Sequence, residues 1–107
     1  MKLLTKEILA AFKKQGPTDE KKPKDINIIV KYFNPCGAGT WYCYEYEEEN
    51  RIFWGYADLG IPGCAECGTI SLDELEDLKC PPFGLKIERD LYFKEHTLQE
   101  VIDRKAQ

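Results

Sequence analysis

The hydrophobic positions of this chain follow two rhythms. Near the start, Ile8, Leu9 and Phe12 recur at helical spacing behind Thr5, a good N-cap, and Gly16-Pro17 stops the pattern. A helix is predicted over 5–15, within an N-terminal unit of 1–16. The stretch 17–25, with Lys21-Lys22-Pro23-Lys24, reads as a mobile basic connector. From there the rhythm changes to two-residue alternation in Ile26–Phe33, Thr40–Tyr46 and Arg51–Ala57, rich in β-branched and aromatic residues. The segments 34–39 and 47–50 between them have good turn compositions.

If both connections are plain hairpins, Phe33 pairs with Thr40 and Tyr46 with Arg51, and the alternation assigns the faces. Ile26, Ile28, Val30, Tyr32, Trp41, Cys43, Ile52, Trp54 and Tyr56 share a core face, with Glu45 its only charge. Tyr42, Tyr44, Tyr46 and Phe53 share the other, with Thr40 and Arg51 beside them. A Gly/Pro loop over 58–67 precedes a short strand, Gly68–Ile70. Ser71-Leu72-Asp73-Glu74 has the form of a capping box and opens a helix to Lys79, which Cys80-Pro81-Pro82 ends. Ile87–Phe93 is a fifth strand candidate, and Thr97–Glu100 a second capping box opening a terminal helix to about Lys105 within 96–107. The predicted fold is α+β: an antiparallel β-meander of four to five strands with two to three helices packed on it.

The 107 residues, 43% hydrophobic and 32% charged, suit one globular domain spanning 1–107, with the sheet and one helix inside 26–95. No apolar run approaches the ~18–20 residues of a membrane span. Met1-Lys2-Leu3-Leu4 turns polar at Thr5-Lys6-Glu7, so a cytoplasmic protein is expected. Charge is unevenly spread. Residues 1–31 carry eight Lys against four acids, whereas 32–107 carry seven Lys/Arg against fifteen. From Glu45 to Asp77 there are ten acids and only Arg51 to oppose them. Nucleic-acid readers combine aromatics with a basic stripe; here the aromatic region is the acidic one, which argues against that class.

Met1-Lys2-Leu3-Leu4-Thr5-Lys6, Trp41-Tyr42, Ser71-Leu72-Asp73-Glu74-Leu75 and above all Gly84-Leu85-Lys86-Ile87-Glu88-Arg89-Asp90-Leu91-Tyr92-Phe93 carry a family likeness. The chain resembles the domain-of-unknown-function family 2958. The resemblance implies a small bacterial protein of the kind often carried on plasmids, phages and conjugative elements. It implies no activity and no catalytic residues.

Five cysteines in such a chain raise the question of a metal. Gly63-Cys64-Ala65-Glu66-Cys67-Gly68 has the form of a zinc knuckle, and Cys36-Gly37 looks like half of another. In a meander the loops after the first and third strands lie at the same end, and the helix after the fourth strand can return Cys80 there. Cys36, Cys64, Cys67 and Cys80 are therefore the candidate ligands of a four-thiolate zinc site, with Cys43 packed in the core. Free thiols, or disulfides, are the alternative.

Catalytic signals are sparse. The single histidine, His96, has no nucleophile suggested near it, and no phosphate loop or nucleophile elbow appears. Glu88, Arg89 and Asp90 form a polar cluster read as a structural ion pair, with Arg89 facing away from the two acids and needing a partner elsewhere. Tyr42, Tyr44, Tyr46, Arg51 and Phe53 match the chemistry of protein interfaces, unless a helix covers them. Three readings follow: a non-enzymatic module that binds a protein with a basic surface, a zinc-stabilised structural domain, and, third, an uncharacterised enzyme.

Overall fold

Local signals start and stop the helices. The computed structural model describes residues 2–61 and 63–104. Helix α1 is Lys6–Gln15: the Thr5 hydroxyl accepts from the Ile8 amide at 3.2 Å, and Gly16, at φ 69°, ends the helix with its amide on the Phe12 carbonyl. Helix α2 is Leu72–Asp77, capped by the Ser71 hydroxyl on the Glu74 amide at 3.2 Å. Helix α3 is Leu98–Ile102, where the full box forms: Glu100 donates its amide to the Thr97 hydroxyl, and its carboxylate accepts from the Thr97 amide. Two helices end earlier than expected. After α2, Lys79–Cys80 pairs with Leu85–Lys86 in a small hairpin that sequence reasoning missed. The helix α3 stops at Asp103, and Lys105 lies outside the described residues.

The main sheet is the expected antiparallel meander. Strands β1 (Val30–Phe33), β2 (Thr40–Glu47), β3 (Ile52–Asp58) and β4 (Glu66–Ser71) are joined by a short edge strand, Glu88–Arg89, in the order β4-β3-β2-β1-edge strand. Phe33 lies opposite Thr40, as the first hairpin requires. The edge strand is shorter than Ile87–Phe93. It pairs only with Tyr32 and Phe33, and the Asp90 carboxylate then turns back to accept the Tyr92 amide at 2.9 Å.

The second hairpin departs from expectation. Glu47, not Tyr46, closes it, against Ile52, and Arg51 sits in the turn at φ 54°. Further along, Cys43 opposes Gly55 while Glu45 opposes Trp54, so Tyr44 is an extra residue: a β-bulge. One inserted residue inverts the alternation, and this redistributes the aromatics between the faces.

On one face Val30, Tyr32, Cys43, Phe53 and Ile70 form a core with Leu3, Phe12, Leu72, Leu75, Cys80 and Ile87. Phe12 of α1 packs its ring on Tyr46 at 5.9 Å and Phe53 at 5.6 Å. The fully buried Tyr32 hydroxyl donates to the Leu3 carbonyl at 2.5 Å, pinning the N-terminal segment. On the other face Tyr44 joins Ile26, Ile28, Leu98 and Val101, with Tyr42, Tyr56 and Phe93 packed around them. Ile26 and Ile28 precede β1 and belong to this second cluster, not to the first as the alternation predicted.

The bulge is braced by its surroundings. The Gln15 carboxamide donates to the Tyr44 carbonyl at 2.6 Å and exchanges two further bonds with the backbone of Asn27. This satisfies a carbonyl beside the interrupted ladder and ties the end of α1 to the sheet. Gly55 gives the bulge room: a Cβ there would stand 2.7 Å from the Tyr42 carbonyl oxygen and 3.2 Å from Cys43 Cα. The connector 17–25 is fastened at Thr18, which is buried. Its amide and hydroxyl both donate to Glu45 Oε1, at 2.8 and 2.7 Å.

Candidate protein-binding surface

The five residues expected to form an aromatic contact face are divided by the bulge. Phe53 is fully buried, and Tyr46 packs beside it with ring centroids 4.8 Å apart, both on the α1 side. Tyr44 is buried on the opposite side, beneath α3. Tyr42 is half-buried there, its ring 6.5 Å from Tyr56 and 5.9 Å from Phe93. Arg51 stands at the turn, where its guanidinium holds Asp73 at 2.7 Å and Glu76 of α2. The tyrosines are therefore largely a second core layer. The physical reason is the inserted residue, which no even alternation anticipates.

The same inversion brings out residues that were assigned to the core. Trp54 is 36% exposed and Tyr56 half-buried on the α3 side of the sheet. Their cross-strand partners on β4, Thr69 and Cys67, are exposed. Beside Trp54 lies a groove of about 550 Å³ whose walls include Tyr44, Glu45, Thr18, Ile26 and Leu98. The signal for this was Gly55 between Trp54 and Tyr56, since a strand glycine flanked by aromatics marks a bulge or a close backbone approach.

The charged clusters of this molecule join elements of the fold. Lys31 Nζ sits 3.4 Å from Asp90, and 5.6 and 5.7 Å from the centroids of Tyr42 and Phe93. The ion pair foreseen around Glu88, Arg89 and Asp90 is thus made between Asp90 and Lys31, across the edge of the sheet. Arg89 faces the other way and donates to the Lys2 carbonyl at 2.9 Å, and Glu88 pairs in register with Phe33. His96 stands before α3, its Nδ1 3.4 Å from Glu100 and its ring against Phe93. Glu100 is held below the usual carboxylate range, first by the Thr97 amide and then by His96.

The loop geometry foreseen for the cysteines is partly realised. The loops after β1 and β3 do meet: a Cβ on Gly60 would stand 2.5 Å from that of Ala38. The thiols fall into separate places: Cys36 packs half-buried against the main core near the buried Cys80, whereas Cys64 and Cys67 are exposed. Burial pushes the Cys80 thiol up, and Cys36 adds to the shift. Cys67 lies in β4, because that strand begins two residues before the expected Gly68, and its partner is the Tyr44 side chain on the α3 face. Among the described residues no group of three or more His, Cys, Asp or Glu is placed to hold a metal ion. Cys43 is fully buried, as a core residue.

The whole described fold coincides with one family. A family model described as a protein of unknown function, DUF2958, matches residues 3–106. The chain belongs to DUF2958. No curated protein and no solved structure matches this DUF2958 chain. Among its described residues no helix is long and apolar enough to cross a membrane.

Proposed function

We propose that this DUF2958 chain is a small non-enzymatic protein-binding module that recognises a partner with a basic surface. The contact would lie on the β3–β4 half of the α3-side face, around Trp54 and Tyr56, together with the neighbouring acids. The observation that carries this reading is the exposed indole of Trp54 beside a groove walled by Ile26, Tyr44 and Leu98 with Asp19, Lys21 and Glu45, on a strand whose own stretch of chain, 52–78, carries acids and no Lys or Arg. Tryptophan at such a position supplies large apolar area with a polar edge, the usual chemistry of an interface anchor. Acidic surroundings add attraction and orientation for a basic partner.

The reading is tested by selecting peptides from a random display library against the wild-type chain and against Trp54→Ala. Enrichment of Lys- and Arg-rich peptides on the wild type, lost in the variant, supports it. Enrichment indifferent to charge, or equal on both chains, contradicts it.

A further inference from the structure

Strand β4 is the outer strand of the sheet on the Trp54 side. It is six residues long and pairs with β3 in unbroken register from Glu66 opposite Ala57 to Ser71 opposite Ile52. The next residue, Leu72, donates its amide to the Arg51 carbonyl at 3.0 Å, which marks that pair as a hydrogen-bonded one. Antiparallel alternation then turns the amides and carbonyls of Ile70, Gly68 and Glu66 towards β3, and those of Ser71, Thr69 and Cys67 outward. Residues 66–69 are exposed, and a Cβ on Gly68 would meet nothing within 4 Å. Protective devices common on open edges are missing from β4: it carries no proline and no lysine, and its pairing has no bulge. The opposite outer strand has only two residues, Glu88 and Arg89.

We infer that β4 accepts an extended, lysine- or arginine-rich segment of a partner protein as an added strand. This rests on the protein-binding reading above and names its mode and its ligand chemistry. Charge selects the occupant. From Ile52 to Leu78 there are six acids and no Lys, Arg or His, with Glu66 at one end of β4 and Glu74 just past the other, while Asp73 and Glu76 are held by Arg51. A second copy pairing antiparallel through β4 would bring Glu66 of each chain towards Glu74 of the other, acid against acid. A basic segment meets the same carboxylates favourably. The outward backbone groups supply its hydrogen bonds, and alternate side chains extend the face on which Thr69 and Cys67 adjoin Trp54 and Tyr56.

The probe is a short synthetic peptide of alternating Lys and Val, titrated into the ¹⁵N-labelled chain. The inference predicts that the largest amide shifts fall on residues 66–71 and that hydrogen exchange slows at Cys67 and Thr69. Thr69→Pro removes an outward donor without touching the ladder to β3. It is expected to weaken binding about tenfold, the worth of one or two hydrogen bonds. N-methylation of alternate peptide residues should do the same on the unmodified chain, and decides the matter alone if Thr69→Pro does not fold. Binding unchanged by either modification, with shifts elsewhere on the acidic surface, overturns strand addition and leaves the basic-partner reading standing. Failure of the Lys-Val peptide to bind, while display-selected basic peptides bind without shifting residues 66–71, also overturns it. If no basic peptide binds at all, the protein-binding reading falls with it. A dimer that Thr69→Pro dissociates would give the edge to a second copy, and so overturn the inference.

Discussion

Thr18 and Glu45 form a clasp between the connector and the sheet: one carboxylate oxygen of Glu45 receives both the amide and the hydroxyl of Thr18. Glu45 reaches the connector because the bulge at Tyr44 moves it off the core face that simple alternation assigned to it, and it lies opposite Trp54. The connector and the exposed indole are thereby held at one place.

Cutting the clasp should free the connector. Glu45→Ala is expected to speed tryptic cleavage after Lys21 and Lys24, because local opening governs access to an otherwise folded segment. Time-resolved proteolysis read by mass spectrometry checks this. Cleavage at the wild-type rate would mean that Thr18 is held by its burial alone.

Gly55 and Gly68 face each other across β3 and β4, yet a methyl group should act oppositely at the two. At Gly55 it would meet the backbone of β2 at 2.7 Å, and Gly55→Ala is expected to destabilise by about 1–3 kcal/mol. At Gly68 it enters open space, and Gly68→Ala should be neutral or stabilising by up to ~1 kcal/mol. Urea denaturation of both variants compares them directly. No loss in Gly55→Ala would show that the bulge tolerates a Cβ.

Tyr32→Phe deletes a buried hydroxyl and strands the Leu3 carbonyl. A loss of about 1–3 kcal/mol is expected, and faster amide exchange in residues 2–5 should accompany it. Loss of stability without that local exchange would detach the hydroxyl from the N-terminal segment.

Burial, and then its contact with Cys67, pushes Tyr44 up to about 12 from the ordinary 10.0. The fold favours the protonated phenol. This contribution is fully present below pH 10 and is lost as the pH rises towards about 12. The difference in stability between wild type and Tyr44→Phe should therefore shrink or change sign across that window. Alkaline denaturation curves that stay parallel would contradict it.

What was legible in the sequence is what is decided locally. Thr5, Ser71 and Thr97 announce helix starts because their hydroxyls bond amides three residues away. Phe33 and Thr40 announce a hairpin because the loop between them is short and rich in turn formers. Gly55 alone marked the bulge, since Tyr42, Tyr44 and Tyr46 keep an even spacing in sequence while the extra residue appears only in pairing with β3. That one event moved Trp54 outward and Phe53 inward, and so relocated the candidate surface. Asp90 could not be matched to Lys31 without knowing that the last strand pairs with β1. Spacing likewise brought the cysteine loops together, while it did not show that Cys67 lies in β4 and Cys80 in the core.

The most direct test of the central claim is site-specific photocrosslinking in the cells that make the protein, with a photoreactive residue at Thr69, the exposed partner of Trp54, and, as a control, at Lys14 on α1. The account predicts a discrete adduct from position 69 to a protein with a Lys/Arg-rich segment, and none from position 14. No adduct at 69, or the same adducts from both positions, would contradict it.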